Sequence, residues 1–308
     1  MQGIVYFGLQ SLNANEWSAP NDIVNDISQL KNTVDMINNS SHSMVKVPHD
    51  WYDESCLPIG FWEILETACN GDQGLVGVLS QQLYDSALNN CIDNNVSFEC
   101  ITQNVQNNNP CHEQKEFYGV LKLEANWNDI SPEYHVSSGL DLYHLALKVL
   151  SERPIDELSY SDLCKKVFTN LNFHGGFADS LLTHGSISQE SKYSSPSITG
   201  INGFSVSTTR SLRSLNDIEL DDKSTQEILS ELAATSGFEC TPQGSNKGQL
   251  KFTFDLNGIS IEVNCEFHLK INRNNCCDGV YYQDRLYFGF YTNEGTRNIY
   301  VAHSGCHL

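Results

Sequence analysis

The chain has 308 residues, of which 40% are hydrophobic and 18% charged, and it carries a net charge of −20 at pH 7. This balance supports a folded core and excludes an extensively disordered protein. No apolar run approaches the roughly 18 residues that cross a membrane, and residues 1–9 lack the basic start of a signal peptide. The 11 cysteines are odd in number and scattered through apolar patterns. We therefore expect a cytoplasmic protein with reduced thiols and no membrane partner.

The negative charge is unevenly distributed along the chain. Residues 249–308 hold five Lys or Arg and six Asp or Glu, a net of −1, whereas the other 248 residues hold 13 basic and 32 acidic residues, a net of −19. An acidic surface repels phosphate backbones. Any nucleic-acid partner is therefore expected at the C-terminal part of the chain.

The first 245 residues are expected to form an acidic, mostly helical body. Residues 20–37 start with an acidic turn and repeat apolar side chains at helical spacing, which indicates an amphipathic helix. Further helices are predicted over 60–69, over 140–150, after a cap at Ser161, and over 224–234 between Ser224 and Gly237. A strand is predicted over 116–127, and loops over 89–111 and 186–209.

Residues 246–308 are predicted to form a second domain, a small antiparallel β meander, which makes the fold class α+β. Strands over 249–256 and 259–271 flank Asn257-Gly258, a dipeptide that strongly favours a hairpin turn. Two more strands are predicted over 285–291 and 299–303.

The strand predicted over 259–271 has one apolar and one polar face. Every odd-numbered residue in it is apolar and every even-numbered residue is polar, and successive side chains of a strand point to opposite sides. Glu266, His268 and Lys270 would then form a row, with neighbours roughly 7 Å apart. The simpler interpretation is that this row is the solvent-facing side of a one-sided sheet.

Three further residues are expected to join this row, because Arg285 begins the next strand and two histidines lie near the end of the chain. The candidate catalytic residues are Glu266, His268, Lys270, Arg285, His303 and His307. Such groups can cleave a phosphodiester without a metal or cofactor. The base would be His268 or Glu266 and the acid His303 or His307. Lys270 and Arg285 would stabilise the pentacoordinate charge.

Zinc is the competing chemistry for this segment. The suitable ligand types are Cys265, His268, Cys276, Cys277, His303 and Cys306. Cys265 and His268 have opposite parity in the strand, however, and Cys276 and Cys277 are adjacent rather than two residues apart, so a metal-free site is favoured. Ser304 is not predicted to be a nucleophile, because no Gly-x-Ser-x-Gly motif surrounds it. His174 and His184 are considered only as contacts of a second site.

Three segments carry a resemblance to known proteins: Cys265-Glu266-Phe267-His268-Leu269-Lys270, Arg285-Leu286-Tyr287-Phe288 and Val301-Ala302-His303-Ser304-Gly305-Cys306-His307-Leu308. They resemble a C-terminal module of uncharacterised bacterial proteins from mobile-element and antiphage-defence loci, and more loosely the end of RelE/ParE-type toxins. The resemblance covers about 60 of the 308 residues. Because the RelE branch cleaves RNA, it implies an endoribonuclease. Those toxins are basic, unlike this chain, and their helical hairpin is not evident before Gln249.

Two functional hypotheses follow. The first is a bacterial defence- or toxin-type nuclease whose C-terminal module cleaves nucleic acid, RNA favoured, while the acidic body restrains the module until a protein partner releases it. The second is a non-catalytic subunit of an antiphage defence complex, which docks a partner protein from the same operon through the same face.

Overall fold

The computed structural model describes residues 2–12, 14–51, 61–97, 101, 104–105, 116–123, 130–152, 154–184, 201–244, 250–256, 258–271, 284–293 and 295–308. The chain divides into two compact units, Met1–Ala146 and Leu147–Leu308. The domain boundary expected near residue 245 falls inside the second unit. In the described part of the chain, no helix combines the length and the apolar character that crossing a membrane requires.

The first unit is built on a parallel sheet, which corrects the expectation of a mostly helical body. Its strands are β1 (Gln2–Tyr6), β2 (Ser43–Pro48), β3 (Ile92–Asp93), β4 (Glu116–Leu121) and β5 (His135–Val136), in the order β3-β2-β1-β4-β5. Each pair runs parallel. Parallel strands are covered on both faces and so lack the polar–apolar alternation by which strands are recognised. Ile4, Val5 and Tyr6, for example, are consecutive and all buried.

The helices of the first unit are α1 (Pro20–Asn38), α2 (Phe61–Ala68) and α3 (Gln73–Leu83). One turn of π-helix, Tyr84–Leu88, follows α3. Helix α1 links β1 to its parallel neighbour β2. Its apolar stripe is buried, including Ile23, Ile27 and Leu30. The helices predicted over 20–37 and 60–69 are therefore confirmed.

The helices of the second unit begin with α4 (Gly139–Glu152), which crosses the boundary between the units, and continue with α5 (Glu157–Val167), α6 (Phe177–Leu181), α7 (Ile201–Asp217) and α8 (Thr225–Ser236). Helix α8 has the predicted caps: Ser224 Oγ accepts from the backbone of Glu227, and Gly237 is left-handed at φ 71°.

Two of the helix expectations are wrong in detail. The cap of α5 is Asp156, which accepts a hydrogen bond from Ser159 N at 2.6 Å, and Ser161 lies buried within the helix. Residues 201–209, expected in a loop, belong to α7. This helix buries hydroxyl-bearing residues such as Ser205 and Thr208, and they obscure its apolar period. The rest of that predicted loop, 186–200, lies outside the described residues.

The second sheet contains β6 (Leu171–Phe173), β7 (Cys240–Pro242), β10 (Phe267–Lys270), β11 (Asp284–Asn293) and β12 (Thr296–Cys306), in the order β6-β12-β11-β10-β7. Strand β6 runs parallel to β12, and the other neighbours are antiparallel. The sheet is therefore mixed, not the simple meander that was expected. The predicted hairpin is present as β8 (Lys251–Leu256) and β9 (Ile259–Asn264).

The strand predicted over 259–271 is broken at Cys265 and Glu266, so that β9 belongs to the hairpin and β10 to the sheet. Phe254 and Val263 of the hairpin and Cys265 pack against Tyr300 and Ala302 of β12 in one buried apolar cluster. The hairpin thus covers one part of a sheet face and leaves the other part to the polar side chains. Since the alternation of apolar and polar residues continues through the break, the sequence pattern does not reveal it.

Candidate functional site

The strand register places the candidate side chains on one face of the second sheet. His268 of β10 lies opposite Thr241 of β7 and Tyr287 of β11, and Tyr287 lies opposite His303 of β12. Two residues further along the strands, and so on the same face, Lys270 lies opposite Arg285. Residues directly opposite each other in an antiparallel pair point to the same side. We call these six residues, Thr241, His268, Lys270, Arg285, Tyr287 and His303, the His268 face.

His268 is held as a neutral imidazole that accepts a hydrogen bond. Its Nε2 lies 3.1 Å from Nη1 of Arg285 and 3.3 Å from Oγ1 of Thr241. Because a guanidinium can only donate, Nε2 is the acceptor and Nδ1 carries the proton. The side chain is 2% exposed. Burial, followed by the charges of Arg285 and Lys270, lowers the pKa of His268 to about 3.

Arg285 is a half-buried cation whose direct partners are uncharged. Besides His268, it donates from Nη1 to Oε1 of Gln243 at 3.4 Å. Its Nε is buried and has no hydrogen-bond partner among the residues that the structure describes. A buried charge normally has an opposite charge close by. The guanidinium therefore keeps both donor capacity and positive charge for an anion.

Lys270, by contrast, already has a counter-ion. Its Nζ lies 2.5 Å from Oε1 of Glu239, and the two side chains are 18% and 49% exposed. Since Glu239 is more than a third exposed, this pair is screened by solvent and contributes little to stability. The pair places the ammonium group of Lys270 opposite Arg285, while the carboxylate of Glu239 offsets part of the positive charge there.

The two histidines near the end of the chain approach Tyr287 from the side of β12. The ring centroids of His303 and His307 lie 5.8 Å and 6.4 Å from that of Tyr287. His303 donates from Nε2 to the carbonyl of Cys306 at 2.9 Å. Burial lowers the pKa of both histidines, and Arg285 adds to the effect at His307. Both rings are therefore neutral at pH 7, and of the two His307 is the exposed one.

The structure thus brings together five of the six residues expected in the site: His268, Lys270, Arg285, His303 and His307. Glu266 is the exception, because it lies in the break between β9 and β10. Its carbonyl accepts a hydrogen bond from Gln243 N at 2.7 Å. The single strand predicted through Glu266, His268 and Lys270 is therefore interrupted before β10.

Sequence reasoning missed the contribution of β7, which supplies Thr241 and is flanked by Glu239 and Gln243. This strand has only three residues, too few to show an alternating pattern. The sequence signal that could have revealed β7 is Gly237, which caps the end of α8 and shows that a new element starts shortly after it.

The zinc alternative gains no support from the described residues. The thiol of Cys265 is buried and donates to the carbonyl of Tyr300 at 3.8 Å. Cys276 and Cys277 lie outside the described residues. Within the described ranges, no group of three or more His, Cys, Asp or Glu side chains could hold a metal ion.

A second place to look is the first unit, where the strand order reverses between β1 and β4. In open parallel sheets such a point is a common ligand crevice, at the carboxyl ends of the strands. Here Leu123 N donates to the carbonyl of Ser11 at 3.1 Å, and Gly8 N donates to Oγ of the same serine at 3.3 Å. These bonds join the segments that follow the two strands, so the His268 face is the better candidate.

Comparison with known proteins found no matching family model, curated protein or solved structure. The functional argument therefore rests on the chemistry of the His268 face. A half-buried guanidinium, an ammonium group and two neutral histidines are suited to binding an oxyanion and to moving a proton beside it.

Proposed function

We propose that the His268 face, together with His307 beside Tyr287, binds a phosphate group of nucleic acid, RNA in preference to DNA, and cleaves the phosphodiester without a metal. The observation that supports this most is Arg285, a half-buried cation whose partners are uncharged and whose Nε has no hydrogen-bond partner within the described ranges. Phosphate oxygens match the geometry of a guanidinium in paired hydrogen bonds. In a bacterial defence or toxin-like system, such cleavage would arrest growth.

The reaction assigns one role to each group. His307, neutral and exposed, takes the proton of a ribose 2′-hydroxyl, and the 2′-oxygen attacks phosphorus. Arg285 stabilises the negative charge of the pentacoordinate phosphorus. Lys270 donates a proton to the leaving 5′-oxygen and is then reprotonated from solvent. His268 holds Arg285 in place. It does not act as the base, because its pKa of about 3 leaves it a weak proton acceptor.

The direct test uses the full-length chain, a labelled RNA oligonucleotide and excess chelator. We expect the wild type to cleave the RNA and to leave DNA of the same sequence intact, since DNA lacks the 2′-hydroxyl. Arg285→Ala should reduce the rate by roughly 100-fold, in the range found when one donor to a transition-state oxyanion is removed. Arg213→Ala is the matched control, because Arg213 is an exposed arginine paired with Asp217 at 3.4 Å and should have no effect. RNA left whole by the wild type would contradict the proposal.

The same proposal can be tested in cells. Expression of the wild type in bacteria should arrest growth and fragment total RNA, and a His268→Ala, Lys270→Ala double variant should do neither. Equal growth and intact RNA in both cultures would contradict the nuclease proposal and favour the second function.

The second candidate function is docking of a partner protein, expected from the same operon. It is favoured by the burial and low pKa of His268, which suit a fixed binding surface, and by Arg285, which would bind a carboxylate of the partner. His307→Ala distinguishes the two: cleavage predicts a lost activity with an intact complex, whereas docking predicts a weakened complex. The complex can be measured by co-purification from bacteria that carry the neighbouring genes.

A further inference from the structure

The opposite face of the same sheet carries a second group of reactive side chains. Ser304 lies opposite Leu286 in the register of β11 and β12, one residue away from the pair of Tyr287 and His303. Its side chain therefore points away from the His268 face. On this side it meets His184, which follows α6 by a few residues, and His184 in turn meets Asp284 at the start of β11.

The three groups follow the order of hydroxyl, imidazole and carboxylate. Oγ of Ser304 lies 3.1 Å from Nε2 of His184, and Nδ1 of the same ring lies 3.5 Å from Oδ1 of Asp284. Nδ1 makes no hydrogen bond to the residues that the structure describes. The carboxylate next to it still favours, by charge, the tautomer in which Nδ1 is protonated and Nε2 is free to accept the serine proton. The ring is also fixed by stacking on Phe204, with centroids 4.4 Å apart.

Two backbone N–H groups lie beside the serine. Ser304 N donates to Oγ of Ser180 at 2.9 Å, and Cys306 N donates to Oγ1 of Thr183 at 3.0 Å. Strand β6 pairs with β12 only over Ile299–Val301, so these N–H groups donate to side-chain hydroxyls instead of to strand carbonyls. Such hydroxyls can be replaced by a substrate oxygen that carries developing negative charge.

Packing alone does not call for this arrangement. The side chains of His184 and Asp284 are fully buried, and a buried carboxylate and imidazole are costly in comparison with apolar residues of the same volume. Ser304 is also fully buried, beneath the turn that holds Ser180 and Thr183. Leu182 and Thr183 of that turn are exposed.

We propose that Ser304, His184 and Asp284 form a second reactive centre, a nucleophilic serine that takes the acyl group of a small carboxylic ester. The inference is independent of the proposed cleavage of RNA, because it uses the other face of the sheet and other residues.

The step conserves atoms and electrons. Oγ of Ser304 attacks the carbonyl carbon while its proton passes to Nε2 of His184. The N–H groups of Ser304 and Cys306 bind the oxyanion. The bond to the alcohol oxygen then breaks, and the alcohol leaves with the proton from His184. Water repeats the sequence on the acyl-serine and releases the acid.

The experiment treats the full-length chain with phenylmethylsulfonyl fluoride or with an alkyl fluorophosphonate and locates the adduct by peptide mass spectrometry. We expect one adduct, on Ser304, and at least a tenfold slower reaction in His184→Gln. Ser236 is an internal control within the same protein: it is equally buried but bonds only to backbone groups, with Oγ 2.6 Å from the carbonyl of Leu232. It should remain unmodified even if the His184 variant fails to fold.

Either of two results would overturn the inference: no adduct on Ser304 of the wild type while a known serine esterase in the same tube reacts fully, or modification of Ser304 and Ser236 at equal rates. Arg213→Ala, at an exposed arginine outside both centres, should not change the rate at Ser304. Labelling of Ser304 and cleavage of RNA are separate measurements on the same preparation, so the failure of one proposal is distinguishable from the failure of the other.

Discussion

At the scale of single residues, the contact between His268 and Arg285 organises the candidate site. A histidine in an alternating strand suggests a proton carrier, and the sequence analysis considered His268 as a base for that reason. Its surroundings change that role, because a buried imidazole beside a guanidinium is stabilised in its neutral form. What remains is an acceptor that fixes the direction of Arg285.

Replacing His268 should therefore affect stability according to whether the acceptor is kept. His268→Ala removes the nearer of the two acceptors of Arg285 Nη1 and leaves only Gln243 at 3.4 Å, which should cost about 1–3 kcal/mol of unfolding free energy. His268→Gln can present an amide oxygen to the same donor and should lose less. Urea unfolding at pH 7 measures both, and an equal loss in the two variants would contradict the role of acceptor.

The same histidine should make stability depend on pH. Its pKa falls from 6.5 in the unfolded chain to about 3 in the folded one, so between these values the unfolded state binds more protons. Stability therefore decreases as pH falls from 6.5 towards 3, by at most about 1.4 kcal/mol per pH unit from this group. The difference between wild type and His268→Gln, followed by urea unfolding at several pH values, isolates the contribution of His268. A difference that stays constant over this range would exclude it.

At the scale of elements, the sequence predicted those parts whose period is visible. The helix over 20–37, the caps of α8 and the Asn257-Gly258 hairpin follow from local spacing and turn chemistry, and the structure confirms them. Of the parallel strands of the first unit, β4 lies within the strand predicted over 116–127, whereas β1 was missed because consecutive apolar residues leave it without alternation. The break at Cys265 was missed because it depends on contacts with distant β12.

The position of the hairpin gives a prediction at this scale. A Cβ atom on Gly289 of β11 would lie within 3.1 Å of backbone atoms of Asn264 and Cys265, so Gly289→Ala must push the hairpin away from the sheet. The expected loss is about 1–3 kcal/mol, as for other overpacked sites. Gly244→Ala is the control, because a Cβ atom there has open space. Equal urea midpoints for the two variants would show that the hairpin does not pack as described.

The candidate site was predictable only in part, for the same reason. The odd or even position of a residue along a strand, and closeness of strands in the sequence, were sufficient to predict that His268, Lys270, Arg285, His303 and His307 lie near one another. They did not predict Thr241 or Gln243, which reach the site through the pairing of β7 with β10. They also did not predict that Ser304 would meet His184, 120 residues earlier in the chain.

At the scale of the whole molecule, the charge is concentrated in the first unit. Residues 1–146 contain four Lys, no Arg and 19 Asp or Glu, a net of −15, and residues 147–308 account for the remaining −5. A protein with this balance cannot hold RNA by broad electrostatic attraction. The proposed binding of RNA therefore assigns the phosphate contacts to the cations of the His268 face.

The dependence of RNA binding on salt should therefore be weak. With two phosphate contacts, from Arg285 and Lys270, the slope of log K against log salt should be about −1.4, since each contact to a single strand contributes about −0.7. Arg285→Ala should make it shallower by about 0.7, again the value for one contact. Fluorescence anisotropy with a labelled oligonucleotide measures the slope. A slope several times steeper would place binding on another surface.

The end of β12 carries neighbouring residues of the two proposed centres, since His303 belongs to one face of the sheet and Ser304 to the other. The next residue, Gly305, lies against the turn of Ser180 and Thr183 so closely that an added Cβ atom would collide with both. The two proposed centres therefore share one short stretch of backbone although they use different side chains. A substitution that displaces Gly305 is expected to disturb His303 and Ser304 together.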